Sequence, residues 1–290
     1  MLGAIEAGGT KFVCAVGDVS GQIIEQVTIP TTIPEETMTA VIDFFKQYEL
    51  EAIGIGSFGP IDVDTESPTY GYITSTPKTA WKNYPLVQAI KEAFPVPVGF
   101  NTDVNAAALG EAAFGAAKGL DSCLYITVGT GIGAGAVVQG KLVQGLSHPE
   151  MGHILVRRHP QDSYTGKCPY HKDCLEGLAA GPAIEERWGE KGFHLVNRPE
   201  VWDLEGYYIA QALMQYILIL SPKKIILGGG VMKQETIFAS INKYLAELVN
   251  EYVALPELTD YIVSPGLGDR AGITGSLMLA SLALQEDDQQ

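Results

Sequence analysis

The 290-residue chain is 46% hydrophobic and 18% charged, enough apolar mass for one large core or two medium ones. Lysine and arginine total 19 against 34 aspartates and glutamates; the resulting charge of −15, with no concentrated basic patch, argues against nucleic-acid and membrane partners. No basic, apolar leader opens the chain and its longest apolar run, 216–220, is far too short to cross a bilayer, so a cytoplasmic location is expected.

The first predicted elements are a strand over 3–7, a tight turn at Gly8-Gly9-Thr10, a strand over 11–16 and, after the Gly21 turn, a third strand. A helix opens at Pro34-Glu35-Glu36, with Met38, Val41, Ile42 and Phe45 at helical spacing. A buried strand over 52–56, a helix over 86–94, a strand over 96–100 and an alanine-rich helix over 105–117 complete the first half. The plan then restarts: strand 124–128, turn Gly129-Thr130-Gly131, strand 132–138, and a third strand after Gly140. Glu6 and Thr127 open the two hairpins, and the following glycine turns fall at nearly the same distance, as in a duplicated unit. A helix over 204–220, a strand over 224–227, a helix over 237–249, a strand over 261–263 and a helix over 271–284 with a frayed acidic tail follow.

Hairpins followed by αβ units, written twice, predict two α/β domains with mostly parallel sheets and a ligand cleft between them. The expected division is a small domain over 1–117, joined by the C-terminal helix 271–290, and a larger one over 118–270.

Successive glycines expose backbone N–H groups in a nest suited to phosphate oxygens, and Lys11 adds a cation beside Gly8, Gly9 and Thr10. A third cluster, Gly228-Gly229-Gly230, follows a strand where open α/β sheets bind nucleotides. Neither a dinucleotide-binding G-x-G-x-x-G with its acidic partner nor a Walker lysine loop is present. Asp103, at the end of a strand, either caps the next helix or takes a proton from an attacking sugar hydroxyl. Glu6 is placed to reach magnesium or its bound water. Cys168, His171 and Cys174 recur every third residue, with His153 fifteen residues upstream, a donor set for a closed, structural zinc site. Cys14 and Cys123 read as buried hydrophobes, whereas His148, His159 and His194 have no evident partner.

Four motifs in order, 5–11, 127–133, 149–153 and 226–231, resemble those of ROK-family sugar kinases, and among them most closely the bacterial fructokinases. The resemblance implies an actin-like, ribonuclease-H-like fold with duplicated mixed sheets and an inter-domain cleft. It also implies ATP with Mg2+ and a hexose as substrates, fructose first, and a homodimer. It gives the base role to Asp103 and sugar contacts to Thr102, Glu150, His153 and Glu176. ATP contacts fall to Gly8, Gly9, Thr10, Lys11, Thr130, Gly131, Gly181, Pro182, Gly228, Gly229 and Gly230. His153 would touch sugar with one ring nitrogen and zinc with the other. Three residues depart from the common family pattern: Glu6 replaces Asp, Thr102 replaces Asn, and His171 replaces a cysteine. Glucose, mannose or N-acetylated amino-sugar kinases, or a non-catalytic sugar sensor, are the alternatives. A repressor would need a DNA-binding segment before the first loop, which begins at residue 3.

Overall fold

Two glycine-rich meanders, each followed by αβ units, set the architecture of the computed structural model, which describes residues 1–287. The first half runs β1 (Leu2–Ala7), β2 (Lys11–Gly17), β3 (Ile23–Pro30), α1 (Pro34–Phe45), β4 (Ala52–Ser57), α2 (Leu86–Ala93), β5 (Val98–Thr102) and α3 (Asp103–Phe114). The second runs β6 (Cys123–Val128), β7 (Ile132–Val138), β8 (Lys141–Leu142), α4 (Leu175–Ala179), α5 (Gly181–Trp188), α6 (Pro199–Leu220), β9 (Ile225–Gly228), α7 (Thr236–Val249), α8 (Leu258–Tyr261), β10 (Ile262–Val263) and α9 (Ala271–Asp287). The predicted tail beyond Asp287 lies outside the described residues.

The sheet orders are β3-β2-β1-β4-β5 and β8-β7-β6-β9-β10, the same sequence of strand roles. In each, the opening meander pairs antiparallel and the later strands pair parallel. The duplication read from the glycine turns is therefore carried into topology. The expectation of mostly parallel sheets is corrected: the sheets are mixed, because both hairpin pairings of each meander lie inside the sheet.

Patterning explains the layers. β4 is buried along its whole length, as a central strand covered on both faces must be, whereas the edge strand β3 is largely exposed. Pro34 at the start of α1, with Glu35 and Glu36 in its first turn, suits the positive end of the helix dipole. Its Met38, Val41 and Phe45 pack with Ile5, Phe12 and Ile53 on the outer face of the first sheet. On the outer face of the second, Ile237, Ile241, Leu245 and Val249 repeat every fourth residue along α7 and join α6 in the core. α6 starts at Pro199, earlier than predicted, because a proline is well suited to a first helical turn. No helix among the described residues is long and apolar enough to cross a membrane.

Between the sheets lie α9, packed on β1, β4 and β5, and α3, packed on β6 and β7. The two helices also pack on each other. A Cβ added at Gly275 of α9 would stand 1.6 Å from the Ala106 carbonyl oxygen of α3, and one at Gly54 of β4 1.8 Å from the Ser276 carbonyl oxygen. Backbone thus lies directly on backbone. The fully buried Glu111 near the end of α3 accepts N–H bonds from Ala116, Gly266 and Leu267 at 2.6, 3.0 and 2.9 Å, pinning the loop that leads into α9.

Gly275→Ala must push α3 and α9 apart. Thermal or urea unfolding should show a loss of about 3 kcal/mol or more, whereas Gly145→Ala, where an added Cβ meets nothing within 4 Å, should change stability by about 0.5 kcal/mol at most. Equal stability of the two variants would contradict the close contact.

Candidate active site

Three cavities, of about 620, 660 and 720 Å³, adjoin along the cleft and share lining residues. Lys233 lines the first and second; Asp103 and Val104 line the second and third. The cavities therefore form one track, with Asp103 at a junction.

The first is an apolar slot between Pro182, Ile184, Phe193, Val196, Trp202 and Val231, closed at one end by Thr130, Gly181 and Gly230. Such walls suit the flat faces of a heterocycle. The Gly181 amide donates to the Gly129 carbonyl at 2.7 Å, so the second glycine turn is tied to the start of α5. Phe193, exposed on a short turn, had no periodic signal in the sequence.

The second cavity holds Glu6, Lys11, Asp103, Thr127, Gly228, Gly229, Lys233 and Asp269. Gly229 has φ of +93°, and an added Cβ there would come within 2.7 Å of the Val128 backbone, so only glycine fits. The carboxyl group of Glu6 lies against Gly272, where an added Cβ would be 2.6 Å from it. The turn Gly8-Gly9-Thr10 joins the strands carrying Glu6 and Lys11, and the Gly8 amide bonds the Lys11 carbonyl at 3.0 Å. Burial, then the nearby charge of Asp103, raises the Glu6 carboxyl to about 7, against the lowering effect of Lys11. Burial likewise raises Asp103 to about 6, with Glu150 adding to it and the Val104 amide opposing.

Asp103 does not cap α3. Thr102 does: its hydroxyl oxygen accepts the Asn105 amide at 3.1 Å, leaving the Asp103 carboxylate free to line both cavities. One oxygen of Asp103 accepts the Val104 N–H at 2.8 Å, which fixes its direction. Asn101, next to Thr102, is spent on structure, its side-chain Oδ1 accepting from Asn105 Nδ2 at 2.7 Å.

The third cavity is lined by Glu150, His153 and Glu176, together with Gly59, Pro60, Ser75, Pro77 and Thr102 from the other half. Glu176 accepts the Ile132 amide at 2.9 Å, so a residue of α4 is held against the second glycine turn. His148, which the sequence left without a partner, is buried here and accepts the Ile61 amide through Nε2 at 3.1 Å.

Beside this cavity His153, Cys168, His171 and Cys174 offer four donor atoms all within 4.8 Å of one another. Bonds of about 2.0–2.3 Å in a tetrahedron place neighbouring donors about 3.3–3.8 Å apart. His153 Nδ1 stands 3.7 and 3.5 Å from the two sulfurs, and His171 Nδ1 3.7 Å from Cys168 Sγ. The other nitrogen of His153, Nε2, is 3.9 Å from Glu176 on the cavity side. Of the predicted residues, Glu6, Lys11, Thr102, Asp103, Thr130, Glu150, His153, His171, Glu176, Gly181, Pro182, Gly228, Gly229 and Gly230 line these cavities, whereas Gly8, Gly9, Thr10 and Gly131 line none of the three. Missed were Lys233, Asp269, Phe193 and His148, which reach the cleft from irregular segments.

The ROK family model matches residues 2–283. A protein of Bacillus subtilis (strain 168) provisionally named fructokinase is 64% identical, over 99% of this chain and 97% of its own. The fructokinase of Pediococcus pentosaceus is 48% identical over 98% of this chain and 99% of its own. Among solved structures, the ROK hexokinase of Thermus thermophilus superposes with a TM-score of 0.82 at 27% identity, covering 98% of this chain and 99% of that one. The ROK glucokinase of Streptomyces griseus, in complex with glucose and AMPPNP, gives 0.76 at 25% identity, covering 96% and 98%. These neighbours bear out the actin-like, ribonuclease-H-like fold and the mixed sheets that the motifs implied.

A carboxyl raised by burial binds its proton more tightly folded than unfolded, so its contribution to stability is full below the unfolded pKa and lost as pH rises through the folded one. Without magnesium or nucleotide, stability should therefore fall between about pH 4.5 and 7 as Glu6 ionises. Denaturant titrations of Glu6→Gln should show this slope reduced, by about 3 kcal/mol across the window. An unchanged slope would contradict the burial of this carboxyl.

Proposed function

The chain belongs to the ROK family, and on that premise we propose that it is an ATP-dependent hexose kinase that converts D-fructose to D-fructose 6-phosphate. The carrying observation is Asp103, one carboxylate lining both the phosphate cavity and the cavity of polar residues beyond it. The adenine base takes the apolar slot, with Thr130, Gly181, Pro182 and Gly230 at its edge. The phosphates lie along Lys11, Gly228, Gly229 and the first glycine turn, and the hexose contacts Thr102, Glu150, His153 and Glu176. Fructose is favoured over the alternatives by full-length relatives named fructokinases, whose identities span 44–64%, whereas relatives named glucokinases stand at 27–28%.

In a loose phosphoryl-transfer transition state the protein mainly orients groups and offsets charge. Asp103 orients the primary hydroxyl toward the γ-phosphate and accepts its proton as the bond to phosphorus forms. Its ordinary strength as a base is raised by burial, which suits it to hold a proton near neutrality. The cleft carries Glu6, Asp103, Glu235 and Asp269 against Lys11 and Lys233, too few cations for a polyphosphate. Mg2+ fits this donor set; Glu6 would hold it, and it would neutralise phosphate charge when bound. Zn2+ fits the four donors of His153, Cys168, His171 and Cys174 and would brace the loop beside the sugar cavity. Homodimeric assembly belongs to the same reading, with Leu155, Leu218 and Ile219 as exposed apolar residues available for pairing.

A coupled ADP-release assay over a hexose panel should give turnover only with a hexose, fructose best. Asp103→Asn should lower kcat by about 10²- to 10⁴-fold with nucleotide binding intact. In the wild type, turnover should fall as pH drops below about 6, where Asp103 gains its proton. No sugar-dependent ADP from any hexose would sink the kinase reading. For the metal, elemental analysis should find about one zinc per chain, and Cys168→Ser should lose it. Equal zinc in both proteins would rule out the four-residue ligand set.

A further inference from the structure

We propose that His148 is a positioning residue that aims the carboxylate of Glu150 at the sugar and ties it to the opposite half of the chain; the sugar part rests on the hexose-kinase reading. His148 sits in the loop after β8, its side chain only 5% exposed. Its Nε2 faces the backbone amide of Ile61, which belongs to the segment after β4, 87 residues away. An amide N–H can only donate, so Nε2 must present its lone pair, and the single proton of the neutral ring is therefore on Nδ1. Nδ1 lies 3.6 Å from Glu150 Oε1. A movement of a few tenths of an ångström makes this a charge-assisted hydrogen bond.

The same loop is clasped to the same segment a second time. Gln144 Nε2 donates to the Val63 carbonyl at 3.0 Å. Gly59 and Pro60, just before Ile61, line the sugar cavity together with His148 and Glu150. Through His148, the backbone of one half thus sets the direction of an acceptor carried by the other.

The two ring nitrogens can be tested separately, since the amide of asparagine reaches about as far as Nδ1 and that of glutamine about as far as Nε2. His148→Gln keeps an acceptor for Ile61 and loses the donor to Glu150. His148→Asn keeps the donor and loses the clasp. With folding checked by thermal melts, His148→Gln should raise the fructose KM about tenfold and change the ATP KM less than about twofold, while His148→Asn, which keeps the donor to Glu150 but loses the clasp, should raise the fructose KM by an intermediate amount, about threefold. A fructose KM within about twofold of wild type in His148→Gln, or equal losses in both variants, would overturn the proposal. The 15N spectrum of the wild-type imidazole gives a reading independent of activity. It should show the proton of His148 on Nδ1; a proton on Nε2 would overturn the proposal, whereas absence of hexose-dependent turnover in wild type would instead count against the kinase reading.

Discussion

Everything at the cleft depends on how closely α3 and α9 approach each other. Gly275 leaves no side chain between its backbone and the Ala106 carbonyl, and Gly54 does the same beneath Ser276. With the helices in contact, the N-terminus of α3 carries Asp103 and that of α9 carries Ala271 and Gly272 into the same cavity. Both positive helix ends then face the cavity proposed for the phosphates. Glu111 extends the constraint to the loop over 264–268 that forms the far wall.

This placement concentrates carboxylates as well as amides. Burial, then the charges of Asp103 and Asp269, raises the affinity of Glu6 for its proton, and burial together with Glu150 raises that of Asp103. Left alone, such a group costs stability as it ionises, so it is retained for what binds there. The divalent cation that accompanies a nucleotide would supply the missing balance. Buried charge elsewhere has no such ligand: Arg187 pairs with Asp162 at 3.1 Å and Glu205 at 3.2 Å, and this network braces α5 against α6.

The duplication was legible because glycine turns and alternating hydrophobic runs are local signals. Both sheets follow from them, as do Glu6, Asp103 and the three glycine clusters, whose neighbours in the chain are also their neighbours in space. The capping role of Thr102 was not legible in the same way, since Thr102 and Asp103 both suit a helix start and only backbone geometry separates them. Phe193, Lys233 and Asp269 arrive from short irregular turns with no period to read. The role of His148 needed a partner 87 residues away. The segment between β4 and β5 that supplies Gly59, Pro60, Ser75 and Pro77 to the third cavity is mostly irregular, and its position is set by tertiary bonds such as Trp81 Nε1 to the Thr32 carbonyl at 2.8 Å.

The central claim is that phosphoryl passes directly from nucleotide to sugar across Asp103, with no protein group carrying it between. The stereochemistry at phosphorus tests this most directly. With ATP made chiral at the γ-phosphorus by oxygen isotopes and fructose as acceptor, a single in-line displacement must give the sugar phosphate with inverted configuration. Retention would mean two displacements and a phosphorylated protein intermediate, contradicting the account.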